Sequence, residues 1–233
     1  MRNFDFLGHL PNEIFEKFEI NNFSVLKDNL FLRNIKYNNI EILKLISFLV
    51  RDKNWNNYTP KIIKTASYNK DNKLHFEFDL KYGDIEKLEV KILLSIGNDS
   101  VKLTAKGKFL TDFWTNRIGF NLLLPLDGVV NQQVIVSKSD QTIETLEYPL
   151  IIQPDQPMVK FNNLAYEMFD SIALNIRFDG IHFEMEDQRN WGDASYKIYS
   201  GSLLDPFPYK ENKNSAFHQE IEITVREKNN SLE

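Results

Sequence analysis

Residues 73–79, KLHFEFD, alternate strictly between apolar and ionisable side chains after the first lysine. The apolar members are Leu74, Phe76 and Phe78, each two residues from the next. Because successive side chains of a β-strand point to opposite faces, this spacing predicts a strand with one buried and one wet face. The same period marks much of residues 86–96, 101–109, 173–178 and 218–227. Repeated half-buried strands of this kind are typical of antiparallel sheets.

Turn-forming residues separate these segments at short intervals, for example at 69–72, 97–99 and 179–180. Many strands with frequent turns favour a sandwich or a barrel. We therefore predict an all-β protein, a large antiparallel β-sandwich with little helix. No Pro-, Gly- or Ser-rich linker divides the chain. Residues 1–233 are thus predicted to form one domain, with an N-terminal extension at 1–22 and a C-terminal tail at 227–233.

Three segments depart from the alternating pattern. Residues 12–18 fit either a short helix capped by Asn12 or a strand. Residues 150–158 and 201–215 each contain two prolines, and both are predicted to be long loops.

The composition limits the classes of function. The chain has 28 Lys+Arg against 33 Asp+Glu, a net charge of −5, and no basic block of the kind that binds nucleic acid. No apolar run approaches the roughly 18 residues of a membrane span, and the first residues lack the apolar centre of a secretion signal. Cysteine is absent, which excludes disulfides and fits a reducing compartment. We predict a cytoplasmic protein without nucleic-acid or membrane partners.

Common catalytic motifs are also missing. The sequence contains no Gly-x-Ser-x-Gly elbow and neither of the glycine-rich phosphate loops. The four histidines are scattered, at positions 9, 75, 182 and 218, with no His-Glu-x-x-His spacing. We therefore predict no metal site and no cofactor.

A dense mixture of charged and aromatic side chains occupies residues 182–197, HFEMEDQRNWGDASYK. On a strand, Glu184 and Glu186 would share one face, about 6.5–7 Å apart. If they are enclosed, the pKa of at least one rises unless a cation compensates. Nearby cations are Arg189 and Lys197, and Arg51 and Arg117 are candidates from distant strands.

Three interpretations of this stretch remain open. The charges form a satisfied ion network without a ligand, or they bind sugar hydroxyls, or they perform acid–base catalysis. Trp191 is equally compatible with core packing and with stacking on a sugar ring, and Trp55 and Trp114 are ambiguous in the same way. Gly192 predicts a turn, with Asp193 available to cap backbone amides.

Residues 183–209, FEMEDQRNWGDASYKIYSGSLLDPFPY, resemble a motif of the D-apionate lactonase family, bacterial enzymes of apiose catabolism that open a sugar lactone. Three earlier segments, 32–60, 112–129 and 151–158, are similar to parts of that family in the same order. They include its Arg-Asp-x-Asn-Trp element at 51–55 and its Asn-Arg-x-Gly-Phe element at 116–120. The resemblance extends over about residues 24 to 226.

Members of that family are longer than this chain. The resemblance covers only their N-terminal β-sandwich, which precedes a (β/α)₈ barrel and a small C-terminal β domain. Barrel active sites lie at the C-terminal ends of the barrel strands. The resemblance therefore implies a carbohydrate-related sandwich and transfers no catalytic residue.

The first functional hypothesis is a sandwich that binds a carbohydrate, sugar acid or lactone. The predicted binding residues are Arg51, Asp52, Trp55, Asn116, Arg117, Glu184, Trp191, Asp193 and Lys197. By analogy with large β-sandwiches of the galactose-mutarotase kind, the predicted chemistry is lactone hydrolysis or epimerisation. Glu186 or Asp187 would act as base, and Arg189 or Lys197 would stabilise the oxyanion. The alternative is a non-catalytic structural or interaction module, for example the partner of a separately encoded catalytic barrel.

Overall fold

The computed structural model describes residues 15–83 and 85–228, and nearly every element in them is a β-strand. The first nine strands are β1 (Glu16–Ile20), β2 (Phe23–Asp28), β3 (Phe31–Tyr37), β4 (Ile40–Asp52), β5 (Lys61–Lys70), β6 (Lys73–Tyr82), β7 (Leu88–Gly97), β8 (Ser100–Phe109) and β9 (Phe113–Pro125). The remaining strands are β10 (Gln133–Lys138), β11 (Ile143–Glu147), β12 (Met158–Met168), β13 (Ile172–Asp179), β14 (Phe183–Asp187), β15 (Ser195–Ser200), β16 (Tyr209–Glu211) and β17 (Ala216–Glu227). One 3₁₀ helix, Gln188–Trp191, is the only helical element in the described ranges.

The alternation in the sequence is realised as predicted. In β6, Leu74, Phe76 and Phe78 are at most 3% exposed, and they pair in register with apolar residues of β7. In β17, Ile221 and Ile223 are also fully buried, because residues two positions apart on a strand share one face. Burying one face of each strand supplies the hydrophobic free energy that holds two layers together.

All seventeen strands belong to one continuous antiparallel sheet. Its main path runs β1-β2-β3-β4-β9-β15-β14-β12-β13-β17-β8-β7-β6-β5, with β10 and β11 beyond the other edge of β12 and a short β16 on β9. The path folds back on itself, because side chains from its first half contact its second half. Phe48 of β4 lies 6.4 Å from Tyr82 of β6, and Phe18 of β1 lies 5.1 Å from Phe76, measured between ring centroids. The predicted all-β sandwich is confirmed.

The structure differs from the sequence-based predictions at the N-terminal extension and at one predicted loop. Residues 16–20 form strand β1, which pairs with β2, so this part of the predicted N-terminal extension belongs to the sheet. Residues 12–14 lie outside the described ranges. The predicted loop 201–215 contains β16, a three-residue strand on the edge of β9, which is too short to show a hydrophobic period. No helix in the described parts of the chain has the length and apolar character to cross a membrane.

Candidate functional site

Four neighbouring strands, β4, β9, β15 and β14, bring the predicted site residues together. Arg51 of β4 lies opposite Arg117 of β9, and Glu184 of β14 lies opposite Tyr199 of β15. Glu186 lies opposite Lys197 on the same two strands. We call these six residues, Arg51, Arg117, Glu184, Glu186, Lys197 and Tyr199, the charged face. The alternate residues of these strands, such as Phe48, Phe120 and Ile198, are buried in the core between the layers.

Arg117 is the central cation of this face. Its guanidinium carbon lies 3.7 Å from the centroid of the Tyr199 ring and 5.4 Å from that of Trp55. Within residues 15–83 and 85–228, no carboxylate forms an ion pair with it. Burial lowers the pKa of Arg117, and the nearby charge of Arg51 acts in the same direction, while Tyr199 and Glu184 oppose them. A half-buried guanidinium that forms no ion pair with the described residues is suited to receive an anionic group.

Arg51 contacts the same tryptophan as Arg117. One of its terminal nitrogens donates to the backbone oxygen of Trp55 over 3.0 Å, and its guanidinium carbon lies 5.9 Å from the Trp55 ring. Its Nε is buried and has no hydrogen-bond partner in the part of the chain that the structure describes. Trp55 is held in place by Asp52, which accepts hydrogen bonds from the backbone amides of Asn54 and Asn56 over 2.7 and 2.9 Å. Asp52 therefore shapes the turn and does not face the charged residues.

Glu184 is fully buried, and its carboxylate is occupied by protein donors. It accepts hydrogen bonds from the Tyr199 hydroxyl over 2.5 Å, from the backbone amide of Leu203 over 3.2 Å, and from the Ser202 hydroxyl. Burial raises the pKa of Tyr199, and the adjacent Glu184 carboxylate adds to this effect. Glu184 thus fixes the position of the ring that contacts Arg117.

Glu186 is the half-buried carboxylate of the face. It forms an ion pair with Lys197 and accepts a hydrogen bond from the indole nitrogen of Trp191 over 2.8 Å. Burial acts to raise the pKa of Glu186, but the hydrogen bond and charge of Lys197, with help from Trp191 and Arg117, hold it below its ordinary value. Burial lowers the pKa of Lys197, and the charges of Arg117 and Arg51 add to that, whereas Glu186 opposes it. Glu186 is therefore an ionised acceptor at neutral pH.

Asp187 and Arg189 form a separate network behind the charged face. The Asp187 carboxylate is fully buried and bonded to Nε and a terminal nitrogen of Arg189 over 2.8 and 2.7 Å. It also accepts the backbone amide of Gln153 over 3.1 Å, and Arg189 donates onward to the backbone oxygens of Pro149 and Leu150 over 2.7 and 3.0 Å. Because these bonds use the carboxylate and the guanidinium so fully, the geometry favours a structural role for both residues.

Asn116 and Asp193 also have protein partners. Asn116 is buried and donates to the backbone oxygen of Lys53 over 3.0 Å, while its own side-chain oxygen has no partner among the described residues. Asp193 accepts a hydrogen bond from the Ser195 hydroxyl over 2.9 Å. It follows Gly192, whose φ of +78° forms the turn that its sequence position predicts.

The tryptophans lie at or near the surface. Trp191 is 74% exposed, so it is not a core residue, and Trp114 is 49% exposed. Trp55 is half-buried, with its ring 5.4 Å from that of Phe207 in an edge contact.

Sequence reasoning missed two residues of this region. Tyr199 follows Lys197 by two positions, so the strand period alone places it on the charged face. Asn121 of β9 lies opposite Tyr199 and is 4% exposed, and within the described ranges its amide nitrogen has no hydrogen-bond partner. Buried polar atoms are normally satisfied, so the free groups of Arg51, Asn116 and Asn121 indicate space for a polar ligand or water.

A cavity of about 210 Å³ adjoins Arg117. Its wall includes Asn116, Ser202, Phe207 and Tyr209. A larger concavity, about 820 Å³, lies elsewhere, on strands β10, β12, β13 and β17. The smaller cavity is the better candidate site, because it alone of the two adjoins the unpaired guanidinium. The described residues hold no cluster of three or more His, Asp or Glu side chains arranged for a metal ion.

Comparisons with known proteins agree on fold and ancestry. The family model described as D-apionate lactonase, N-terminal domain, matches residues 8–228. D-apionate lactonase from Brucella anthropi is 33% identical over 197 residues, which cover 83% of this chain and 32% of that enzyme. The chain therefore spans about a third of the length of this relative.

Solved structures with low sequence identity share the fold. A galactose mutarotase-like protein from Clostridium acetobutylicum aligns with a TM-score of 0.60 at 8% identity, over 91% of this chain and 95% of its own. A β-arabinopyranosidase aligns with a TM-score of 0.60 at 7% identity, over 92% of this chain and 40% of its own. The sandwich is thus of the galactose-mutarotase-like type.

Proposed function

This chain belongs to the family of D-apionate lactonase N-terminal domains, and from that membership we propose that its charged face binds a sugar acid or a sugar lactone. The family makes the protein a carbohydrate-related β-sandwich. The observation that carries the finer proposal is the half-buried guanidinium of Arg117, which has no carboxylate partner among the described residues and adjoins a cavity.

The ligand's anionic or carbonyl oxygens would lie against Arg117. Guanidinium groups bind carboxylates through two parallel hydrogen bonds, and a lactone carbonyl accepts the same donors. The unpartnered atoms of Arg51, Asn116 and Asn121 are further donors and acceptors for such a ligand. The ionised Glu186 would accept ligand hydroxyls, and Trp55 offers an apolar ring beside Arg117. Trp191, held by Glu186, would cover an exposed side of the ligand.

Turnover of a lactone is the further step of this proposal. Glu186 would take a proton from water while the water oxygen bonds to the lactone carbonyl carbon, and Lys197 or Arg117 would stabilise the oxyanion. The ring C–O bond would then break, and the leaving hydroxyl oxygen would regain the proton from Glu186. Because its ion pair with Lys197 holds the pKa of Glu186 low, this carboxylate is a better hydroxyl acceptor than a base. Binding is therefore the primary function that we propose.

The test is a thermal-shift and calorimetric screen of aldonic acids, aldonolactones and neutral aldoses. A ligand that binds only the folded state raises the melting temperature by mass action. We expect acids or lactones to stabilise the wild type and the matched control Arg177→Met, whose surface arginine pairs with Glu222, but not Arg117→Met. If no acid or lactone stabilises the wild type, the proposal is wrong. Proton release from any bound lactone, compared between wild type and Glu186→Gln, then decides between binding alone and hydrolysis.

The alternative candidate is a non-catalytic interaction module for a second polypeptide, such as a separately encoded barrel protein. An exposed apolar segment beside Trp191 favours such an interaction.

A further inference from the structure

The loop between strands β15 and β16, residues 201–208, forms one wall of the cavity beside Arg117. Asp205 and Phe207 both line this space. Phe207 is 46% exposed, so its ring lies where the cavity meets the solvent. The ring also contacts that of Trp55, at 5.4 Å between centroids, and Trp55 in turn lies against the Arg117 guanidinium. The Phe207 ring thus narrows the cavity at its open side, next to Trp55.

The middle of this loop is held by charged side chains. One carboxylate oxygen of Asp205 lies 2.6 Å from Nζ of Lys160, and the other lies 2.5 Å from Nε2 of His182. Burial acts to raise the pKa of Asp205, but hydrogen bonds from Lys160 and His182 outweigh it and hold that pKa below its ordinary value. Asp205 is therefore an ionised acceptor at neutral pH. We call Asp205, His182 and Lys160 the loop clamp.

Both partners of Asp205 come from the sheet. His182 directly precedes β14, the strand of Glu184, and its backbone oxygen accepts a hydrogen bond from the amide of Gly201 over 3.0 Å. Lys160 has φ +52° and lies where the pairing of β12 with β14 shifts register. Bulges of this kind re-aim a side chain out of the regular strand pattern. The loop clamp thus connects the cavity wall to the strand that supplies the carboxylates of the charged face.

Packing against the core contributes little to the position of the loop. Leu204 and Phe207 are 66% and 46% exposed. At its two ends the loop is held by the amide of Leu203, which donates to Glu184 over 3.2 Å, and by the pairing of β16 with β9. The loop clamp is the side-chain anchor between these ends, and it lies two residues from Phe207.

The size of the cavity indicates what the Phe207 ring does. Its volume of about 210 Å³ is below the roughly 300–1,000 Å³ of pockets for drug-sized ligands, and it suits one sugar unit. We propose that Asp205 is a positioning residue that holds Phe207 at the cavity mouth, where the ring admits a single sugar acid and excludes one that carries a second sugar. This inference rests on the proposed binding of a sugar acid at Arg117, and it adds the residues that limit the size of the ligand.

Tryptophan fluorescence tests the positioning role without a ligand. The chain has three tryptophans, so Trp114→Phe/Trp191→Phe leaves Trp55 as the only one. In that background, Asp205→Asn should shift the emission of Trp55 to longer wavelength and increase its quenching by acrylamide, because the Phe207 ring no longer covers it. Unchanged emission and quenching overturn the positioning role.

Further variants separate positioning from general destabilisation. Lys160→Arg keeps a cation for Asp205 and should retain the original emission, whereas Lys160→Met should change it in the same direction as Asp205→Asn. Glu167→Gln is the matched control, because Glu167 forms an exposed ion pair with Lys228, also at 2.6 Å. Melting temperatures should change little in all of these variants, since exposed ion pairs contribute little to stability. An equal emission change in Glu167→Gln would contradict the assignment.

Calorimetric titration with gluconate and lactobionate tests the size selection. Lactobionate is gluconate with a galactose unit attached, so the two acids differ only by the second sugar. We expect the ratio of the lactobionate Kd to the gluconate Kd to fall about tenfold or more in Phe207→Ala. Phe169→Ala, which removes a ring that is 47% exposed elsewhere, should keep the wild-type ratio.

The outcomes distinguish this inference from the proposed function. An unchanged ratio in Phe207→Ala overturns the size selection even where gluconate binds. If neither acid binds the wild type or either variant, the size selection is wrong, and the broader screen of acids and lactones decides separately on the proposed function. The fluorescence of Trp55 decides the role of Asp205 in every case.

Discussion

The guanidinium carbon of Arg117 lies 3.7 Å from the centroid of the Tyr199 ring. The hydroxyl of the same ring donates to buried Glu184, so one tyrosine connects this carboxylate with a cation that has no ion-pair partner among residues 15–83 and 85–228. The ring thereby stabilises Arg117 without neutralising its charge. The contact with Tyr199 therefore leaves the Arg117 guanidinium available to a ligand.

Arg117→Met should leave the free energy of unfolding within about 1 kcal/mol of the wild type. The substitution loses a cation–π contact of about 1 kcal/mol, but it also removes the desolvation cost of a half-buried guanidinium that forms no ion pair with the described residues. Urea denaturation at neutral pH measures the difference. A loss above about 3 kcal/mol would show that Arg117 is mainly structural.

Tyr199→Phe should destabilise the protein by about 1–3 kcal/mol, because buried Glu184 loses one of its donors. The matched control is Tyr68→Phe. The Tyr68 hydroxyl donates to Glu77 over 2.7 Å, but at an exposed position where water replaces the lost bond. Chemical denaturation of both variants provides the comparison. Equal effects would contradict the role assigned to Glu184 and Tyr199.

Asp187→Ala should cost about 3 kcal/mol or more, since it leaves Arg189 and the Gln153 amide without their buried partner. Asp112→Ala removes a carboxylate at 2.6 Å from Lys210 whose side chain is 55% exposed, and should cost at most about 1 kcal/mol. Limited proteolysis should in addition cleave the 149–153 loop faster in Asp187→Ala. Normal protease resistance of that loop would show that other contacts order it.

The free energy of unfolding should depend on pH through the Asp187 carboxylate. Burial acts to raise the pKa of Asp187, but hydrogen bonds from Arg189 and Gln153 outweigh it and lower the pKa in the folded state. The pKa of an aspartate in the unfolded chain is about 3.9. The stabilising contribution is therefore complete above that pH and disappears as pH falls through the lower folded value. The stability of Asp187→Asn should consequently vary less with pH than that of the wild type below about pH 4, measured by denaturation at each pH. Parallel pH profiles would contradict this.

Gly119→Ala should be among the most destabilising single-methyl additions, at about 2 kcal/mol or more. Gly119 has φ +147°, and an added Cβ would lie 2.1 Å from the Ser200 hydroxyl and 2.3 Å from the side-chain oxygen of Gln219. Gly192→Ala is the control, with φ +78° and no atom within 4 Å of the new Cβ, so only backbone strain of about 1 kcal/mol is expected. Thermal denaturation distinguishes the two, and similar losses would contradict the packing at Gly119.

The sequence predicted strands such as β6 well, because burial of Phe76 and Phe78 follows directly from their spacing. The order of strands in the sheet decides which residues become cross-strand neighbours. A local pattern contains no information on that order, so it could not predict that the strands of Arg51, Arg117 and Glu186 lie in one part of the sheet.

The strand period places Glu186 and Asp187 on opposite faces, but no local pattern predicts the partner of Asp187. Adjacent residues of a strand face opposite sides, and only the position of Arg189 shows that Asp187 belongs to a loop anchor. Tyr199, by contrast, was predictable from its two-residue offset from Lys197.

Strand β17 lies between β13 and β8, and its pairing joins strands β5 to β8 to the rest of the sheet. A ribosome must therefore release residues 216–227 before the two layers can close. Until then, the edges of β8 and β13 stay unpaired and prone to pair with other chains. Interruption of synthesis before this strand should yield an aggregation-prone fragment and not a smaller version of the folded protein.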